Sequence, residues 1–152
     1  MNQMQMGLGP RLSAETLHSS TVASEGRAVL ITGPSGSGKS DLALRLLDRG
    51  FILVSDDHTI IRSDGDRLLA TAPPTIAGKL EVRGIGIVEV EHTSDVPVAL
   101  IVGLRSDIQR MPDDSRVRVI LGVAVPLISI DAMTASAASK VALALSRTGR
   151  NF

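Results

Sequence analysis

Short apolar runs broken by glycine, proline and acidic turns dominate the chain, and each run predicts one element. Arg27-Ala-Val-Leu-Ile-Thr32 is apolar and β-rich, which predicts a buried strand. Asp41–Arg49 switches to helical spacing, with Leu42 and Leu46 on one face, Arg45 and Arg49 on another, and Gly50 as the stop. Phe51-Ile-Leu-Val-Ser55 predicts a second strand that ends at Asp56-Asp57. His58–Arg62 and Arg67–Thr71 flank Ser63-Asp-Gly-Asp66 and read as a hairpin. Ala72-Pro73-Pro74 interrupts the sheet pattern, because proline has no N–H for a ladder.

Beyond that break, Leu80–Val90 mixes charge, glycine and apolar residues and is expected to be a structured loop. Val96–Gly103, Arg116–Leu121 and Val125–Ile130 predict strands, with Arg105–Ser115 an exposed, mobile connection. Asp131 is expected to cap a final helix through Ser146, with Met133, Val141 and Leu145 inward. Leu12–Ser24 leads into the first strand and carries His18. The expected organisation is a tail over residues 1–11, one domain over 12–146 and a second tail over 147–152, without internal repeats.

Composition narrows the class. At 152 residues the chain suits one domain with a real core, and 43% hydrophobic residues argue against disorder. With two Phe and no Trp or Tyr, the core must come from aliphatic residues, which suits a buried α/β sheet. The same scarcity removes the stacking platforms of single-strand binders, and a net charge of zero argues against nucleic acid as a partner. No cysteine means no disulfide, thiolate metal site or thiol nucleophile. Met1–Pro10 lacks the features of a secretory signal, and no apolar run approaches a membrane span, so the expectation is a cytoplasmic protein without a membrane partner.

Between the first strand and its helix lies Gly33-Pro34-Ser35-Gly36-Ser37-Gly38-Lys39-Ser40, followed by Asp41. Glycines at this spacing let backbone N–H groups turn inward on a polyphosphate. Lys39 supplies a compact positive charge near the terminal phosphates, and the Ser40 hydroxyl suits Mg²⁺. The helix N-terminus completes the anion site. Nucleotide binding with Mg²⁺ is therefore the first functional expectation.

Asp56-Asp57 stands at a strand's carboxyl end, where open α/β sheets place ligands. Adjacent carboxylates point in different directions, so one can serve a metal and the other a substrate proton, the two roles phosphoryl transfer needs.

The phosphate loop, the segment Asp48–Asp57 and Leu80-Glu-Val-Arg-Gly-Ile-Gly-Ile87 together resemble the HPr kinase/phosphorylase family over about residues 12–104. The resemblance implies a P-loop kinase domain with a central mixed sheet flanked by helices. It implies a Mg²⁺- and ATP-dependent serine kinase acting on an HPr-like phosphocarrier, with phosphorolysis as the reverse reaction. In that reading Asp56 exchanges the serine proton, Lys39 holds phosphate, and His18 lies near the catalytic carboxylates. Ser40, Asp57 and Glu81 surround the metal. Arg83 lies within the signature and Arg110 matches an arginine that reaches phosphate; from the residues alone they read as a carboxylate partner and a solvated loop arginine. His58 and His92 carry no functional expectation.

The chain departs from the family pattern twice. It has the look of a short form limited to the catalytic domain, and Ile128–Thr134 stands where the family has Pro-Gly-Arg-Asn. A homo-oligomer, hexameric by resemblance, is expected. A small-molecule kinase using Arg105, Arg110, Arg116 and Arg118 as a lid, or a nucleotide-binding regulator without turnover, are the alternatives.

Overall fold

The computed structural model describes residues 13–107 and 116–152. In chain order the elements are β1 (Ala14–Leu17), β2 (Ser19–Ser24), β3 (Arg27–Thr32), α1 (Lys39–Leu47), β4 (Ile52–Ser55), β5 (Thr59–Asp64) and β6 (Arg67–Thr71). After a 3₁₀ turn at Pro74–Ile76 come β7 (Lys79–Val82), β8 (Gly86–Glu89), β9 (Val96–Leu104), β10 (Val117–Ile120), β11 (Val123–Ile130) and α2 (Ala137–Thr148). This is the expected α/β fold around a mixed sheet.

Nine strands among the described residues form that sheet, in the order β1-β5-β6-β9-β3-β2-β4, with β11 on β9 and β10 on β11. β3, β9 and β11 run parallel, while β2 is antiparallel to both β3 and β4. The carboxyl ends of β3, β4, β9 and β11 therefore share one edge of the sheet. The amino end of β2 meets them there, since Ser19 is paired with Thr32.

Strand alternation divides the core into two layers. Val29 and Ile31 of β3 face a cluster that takes in Leu42, Ala43 and Leu46 of α1 and Ala137, Ala138, Val141 and Leu145 of α2. Ala28 and Leu30 face the other way, onto Val54, Ile61, Leu68, Val98, Ile101 and Val125. Both helices thus cover the same face, and the second layer is strand packed on strand. β9 serves both layers by alternation, with a register shift between Val98 and Leu100 where Ala99 and Leu100 both join the helix-side cluster.

Several elements differ from the sequence expectations. Leu12–Ser24 contributes two strands, because His18 breaks the pairing: β1 joins β5 and β2 joins β3. Leu80–Val90 is a hairpin of β7 and β8, forming its own two-stranded sheet with Leu80 buried. Charge and glycine hid its alternation. The last helix starts at Ala137, not at Asp131, whose carboxylate instead accepts the Met133 N–H at 2.9 Å in a local turn. Met133 consequently points outward, 87% exposed, whereas Val141 and Leu145 are buried as expected.

The chain end is tied down. α2 runs to Thr148, and the Arg150 N–H donates to the Ala99 carbonyl at 3.0 Å. Arg27 Nη1 donates to the carbonyls of Leu145 and Arg150, each at 3.2 Å, so a strand side chain closes the helix C-terminus. Replacing Arg27 by Ala should lower unfolding free energy by about 1–2 kcal/mol with an unchanged denaturant slope. Urea titration checks this; a midpoint equal to that of the parent chain refutes the clamp.

Candidate active site

At the shared strand edge the chain leaves β3 at Thr32 and makes the phosphate loop before entering α1. Gly38 occupies the N-cap of α1 at φ 100°, a left-handed conformation that glycine adopts freely and that brings no capping side chain. The first N–H groups of the helix are left for an anion. A Cβ built on Gly33 would lie 2.6 Å from Ser37 Oγ, so the loop's tight closure demands glycine there too. Ser37 Oγ is itself buried within the loop without a partner.

Lys39 is buried, and its Nζ donates to the carbonyls of Gly33 at 2.8 Å and Pro34 at 3.1 Å. An ammonium has three donors, so one remains for a phosphate oxygen. Asp41 forms an ion pair with Arg45 one turn along α1, at 3.1 Å.

Asp56 follows β4 and is only 7% exposed. Its Oδ1 accepts from Ser40 Oγ at 2.6 Å and from Ser20 Oγ at 2.9 Å, while Oδ2 accepts the Glu81 N–H at 3.0 Å. Three donors thus replace the water that this buried carboxylate has lost. Asp57 faces the other way, at φ 69°. Its Oδ1 is 2.7 Å from His18 Nε2 and its Oδ2 3.2 Å from His58 Nδ1. The two imidazoles stack with centroids 5.4 Å apart.

A cleft of about 850 Å³ opens here. Ser35, Gly36, Gly38, Lys39, Ser40 and Asp41 form its floor; Asp57, Glu81 and Arg83 reach into it, and Leu44, Arg45, Ile85 and Met133 complete its walls. Arg45 holds the far wall in place by donating to the Ala132 carbonyl at 2.7 Å.

The geometry separates the two aspartates. Asp56, expected to exchange the substrate proton, is buried with both oxygens engaged and is not among the cleft residues. Asp57, expected at the metal, lines the cleft beside a histidine. The Ser40 hydroxyl meets Asp56, not Asp57 or Glu81, and Glu81 reaches Asp56 through its backbone. His18 reaches the cleft through Asp57. Arg110 lies outside the described residues. Arg105, expected in a lid, is held by Asp107 through bonds of 3.0 and 2.8 Å, which pull the Asp107 carboxyl below its ordinary pKa.

Sequence reading overlooked Ser20, Arg45 and His58. Ser20 belongs to a polar run, Ser19-Ser20-Thr21, that opens an otherwise apolar strand and is fully buried; such a run was the available signal.

A glycine-rich loop of the P-loop pattern at the carboxyl edge of a mixed sheet, facing a buried aspartate bonded to the loop serine, defines an α/β domain of the P-loop class. More narrowly, the chain belongs to the HPr Serine kinase C-terminal domain family, whose model matches residues 11–148. It is 34% identical over 143 residues to the HPr kinase/phosphorylase of Clostridium botulinum (strain Eklund 17B / Type B), covering 86% of this chain and 47% of that protein. With the HPr kinase/phosphorylase of Limosilactobacillus reuteri (strain DSM 20016) it shares 39% over 141 residues, 84% of this chain and 43% of the relative. The chain thus spans less than half the length of these curated relatives. Among solved structures it is similar to the Hpr(Ser) kinase/phosphatase from Coxiella burnetii, with TM-score 0.76 and 28% identity, covering 88% of this chain and 95% of that one.

Gly33→Ala tests the cradle. The added methyl should lower the affinity for ATP about ten- to a hundredfold, equivalent to about 1.4–2.8 kcal/mol. Calorimetric titration reads this, and an unaltered affinity would show that the loop does not grip phosphate.

Proposed function

We propose that this domain is a serine kinase that transfers the γ-phosphoryl group of ATP to an HPr-like phosphocarrier, with Asp57 as proton acceptor. One observation carries the reading: the adjacent aspartates face opposite ways, one bonded to the loop serine and the other open to the cleft with a histidine behind it. Family membership supports the acceptor class, and the relatives' names mention phosphorylase and phosphatase activity, so phosphorolysis belongs to the same reading.

The residues fit a nucleotide with a divalent cation. Loop N–H groups and Lys39 would bind the β- and γ-phosphates, and the Ser40 hydroxyl with the Asp56 carboxylate would hold Mg²⁺. When bound, the cation supplies charge neutralisation on the phosphates. As the acceptor serine attacks, its O–H proton passes to Asp57, the new P–O bond forms and the bond to the ADP oxygen breaks. In phosphorolysis the proton returns from Asp57 to the serine oxygen, and inorganic phosphate takes the phosphoryl group as pyrophosphate. His18 steadies the Asp57 carboxylate through its 2.7 Å contact. Arg83, on the cleft wall, is placed to meet phosphate or carrier.

No described helix is long and apolar enough to cross a membrane, and the reading places carrier and kinase together in the cytoplasm. Self-association belongs to it as well: Val117 and Val119 are exposed on β10, which pairs only with β11 among the described strands. Sedimentation velocity should report a mass several times that of one chain; a monomer at tens of micromolar would exclude it.

The direct test mixes the protein with Mg²⁺, γ-labelled ATP and an HPr-like carrier, beside a carrier whose acceptor serine is alanine. Label should appear on the native carrier alone. Asp57→Asn should cut the rate by about 10²–10⁴ while ATP affinity stays within a few-fold. Unimpaired transfer by that variant would end the assignment of Asp57. Label on metabolites but on no carrier would point to a small-molecule kinase.

A further inference from the structure

One fully buried hydroxyl touches both aspartates. Ser20 sits on β2 with no exposed surface, one residue beyond the partner of Thr32 in the pairing with β3. Its Oγ lies 2.9 Å from Asp56 Oδ1, and the Asp57 N–H lies 3.1 Å from the same Oγ. The direction of each bond follows from chemistry. An ionised carboxylate can only accept, so the hydroxyl donates to Asp56; its lone pair then accepts the Asp57 amide. Ser20 thereby spends its only donor and one of its two lone pairs.

Each bond answers a particular need. Asp56 is a buried carboxylate, so every donor around it offsets lost hydration. Ser40 also donates to Oδ1, so the two hydroxyls share that oxygen. Asp57 adopts φ 69°, a conformation that costs a non-glycine residue energy and persists only when its surroundings enforce it. The bond from its N–H to Ser20 is one such constraint. Another is the His58 N–H, which donates to the Asp56 carbonyl at 2.8 Å and tightens the turn.

We propose that Ser20 is a positioning residue: its hydroxyl holds the Asp56 carboxylate towards Ser40 and the Asp57 backbone in the turn that presents its side chain to the cleft. The inference rests on the kinase reading and deepens it. A serine that merely fills space in a strand would tolerate alanine. A serine that orients two aspartates would not, although neither ATP nor the carrier touches it. Support for a charged group by a neighbouring hydroxyl typically changes metal affinity or activity about 10- to 100-fold when removed.

The experiment uses the full chain with Ser20→Ala and Ser20→Thr. Binding of ADP in the presence of EDTA, binding of Mn²⁺ to the ADP complex by electron paramagnetic resonance, and steady-state phosphorylation of an HPr-like carrier are measured on each. Ser20→Ala should keep metal-free ADP affinity within about twofold, weaken Mn²⁺ about 10- to 100-fold and lower kcat by a similar factor at unchanged carrier KM. Ser20→Thr keeps the hydroxyl and should recover most of both losses. In ¹⁵N spectra the Asp57 amide should shift and exchange faster in Ser20→Ala alone, a readout that needs no turnover. Wild-type Mn²⁺ affinity in Ser20→Ala overturns the proposal, as does equal loss in both variants, which would assign the effect to packing. A parent chain that binds ADP and Mn²⁺ yet labels no carrier removes the carrier-kinase reading, and the Mn²⁺ and amide measurements then decide Ser20 by themselves. A parent chain that binds neither ligand overturns both.

Discussion

Burial of the Asp56 carboxylate is the constraint around which the active edge is arranged. A carboxylate at 7% exposure has lost most of its water and needs donors in its place. They come from three separate parts of the chain: Ser20 on β2, Ser40 at the start of α1, and the Glu81 N–H on β7. Satisfying one charge therefore fixes the sheet edge, the phosphate-loop helix and the outer hairpin relative to one another. Because Asp56 takes the interior position, the next residue turns outward, and Asp57 becomes the aspartate that lines the cleft.

The sheet makes that arrangement possible at some cost. Four strands deliver their carboxyl ends to one edge, and β2, running the other way, delivers its amino end with Ser20 to the same place. Polar side chains are then forced into the interior: Ser19, Thr21, Ser55 and Thr59 are fully buried beneath the aspartates. They are accommodated by bonding to one another and to backbone, as with Thr21 Oγ1 and Thr59 Oγ1 at 2.8 Å and Thr59 Oγ1 with the Ser19 carbonyl at 2.8 Å. A satisfied hydroxyl layer is rigid because each bond has few alternatives in a low-dielectric interior. It joins the turn at Asp57 through Ser55, whose hydroxyl donates to the His58 carbonyl, and the positive φ of that turn needs a stiff support.

What could be read from the sequence was what local physics decides. The β3–loop–α1 unit was legible because apolar run, glycine spacing and helical period occur within about twenty residues, and each is diagnostic at short range. The β5–β6 hairpin was legible for the same reason, through Asp-Gly. The β7–β8 hairpin was obscured because its strands are short, half exposed and charged, so alternation never emerges from Leu80-Glu-Val-Arg-Gly-Ile-Gly-Ile87. The start of α2 was misplaced because Asp131 favours a helix cap and a local turn alike. The orientations of Asp56 and Asp57 could not be separated by sequence: neighbouring residues point apart, but which one faces inward depends on Ser20 and Glu81, 36 and 25 residues away. Ser20 was invisible for the converse reason, since a strand serine acquires meaning only from what packs against it.

The cleft walls extend the same logic outward. The β7–β8 hairpin belongs to no larger sheet, and exposed Ile85 and Ile87 near its turn could not hold it by burial. Its attachments lie at the base, where Leu80 is buried and the Glu81 N–H reaches Asp56. The opposite wall, Ala132–Met133, is anchored to α1 through Arg45. Both rims are thus fastened to the parts that hold phosphate and Asp56, not to each other. Displacing the hairpin would withdraw a donor from a buried charge, so hairpin position and Asp56 orientation are linked energetically. A macromolecule pressing on Ile85 or Ile87 would act on that link, whereas one meeting only the loop face would not.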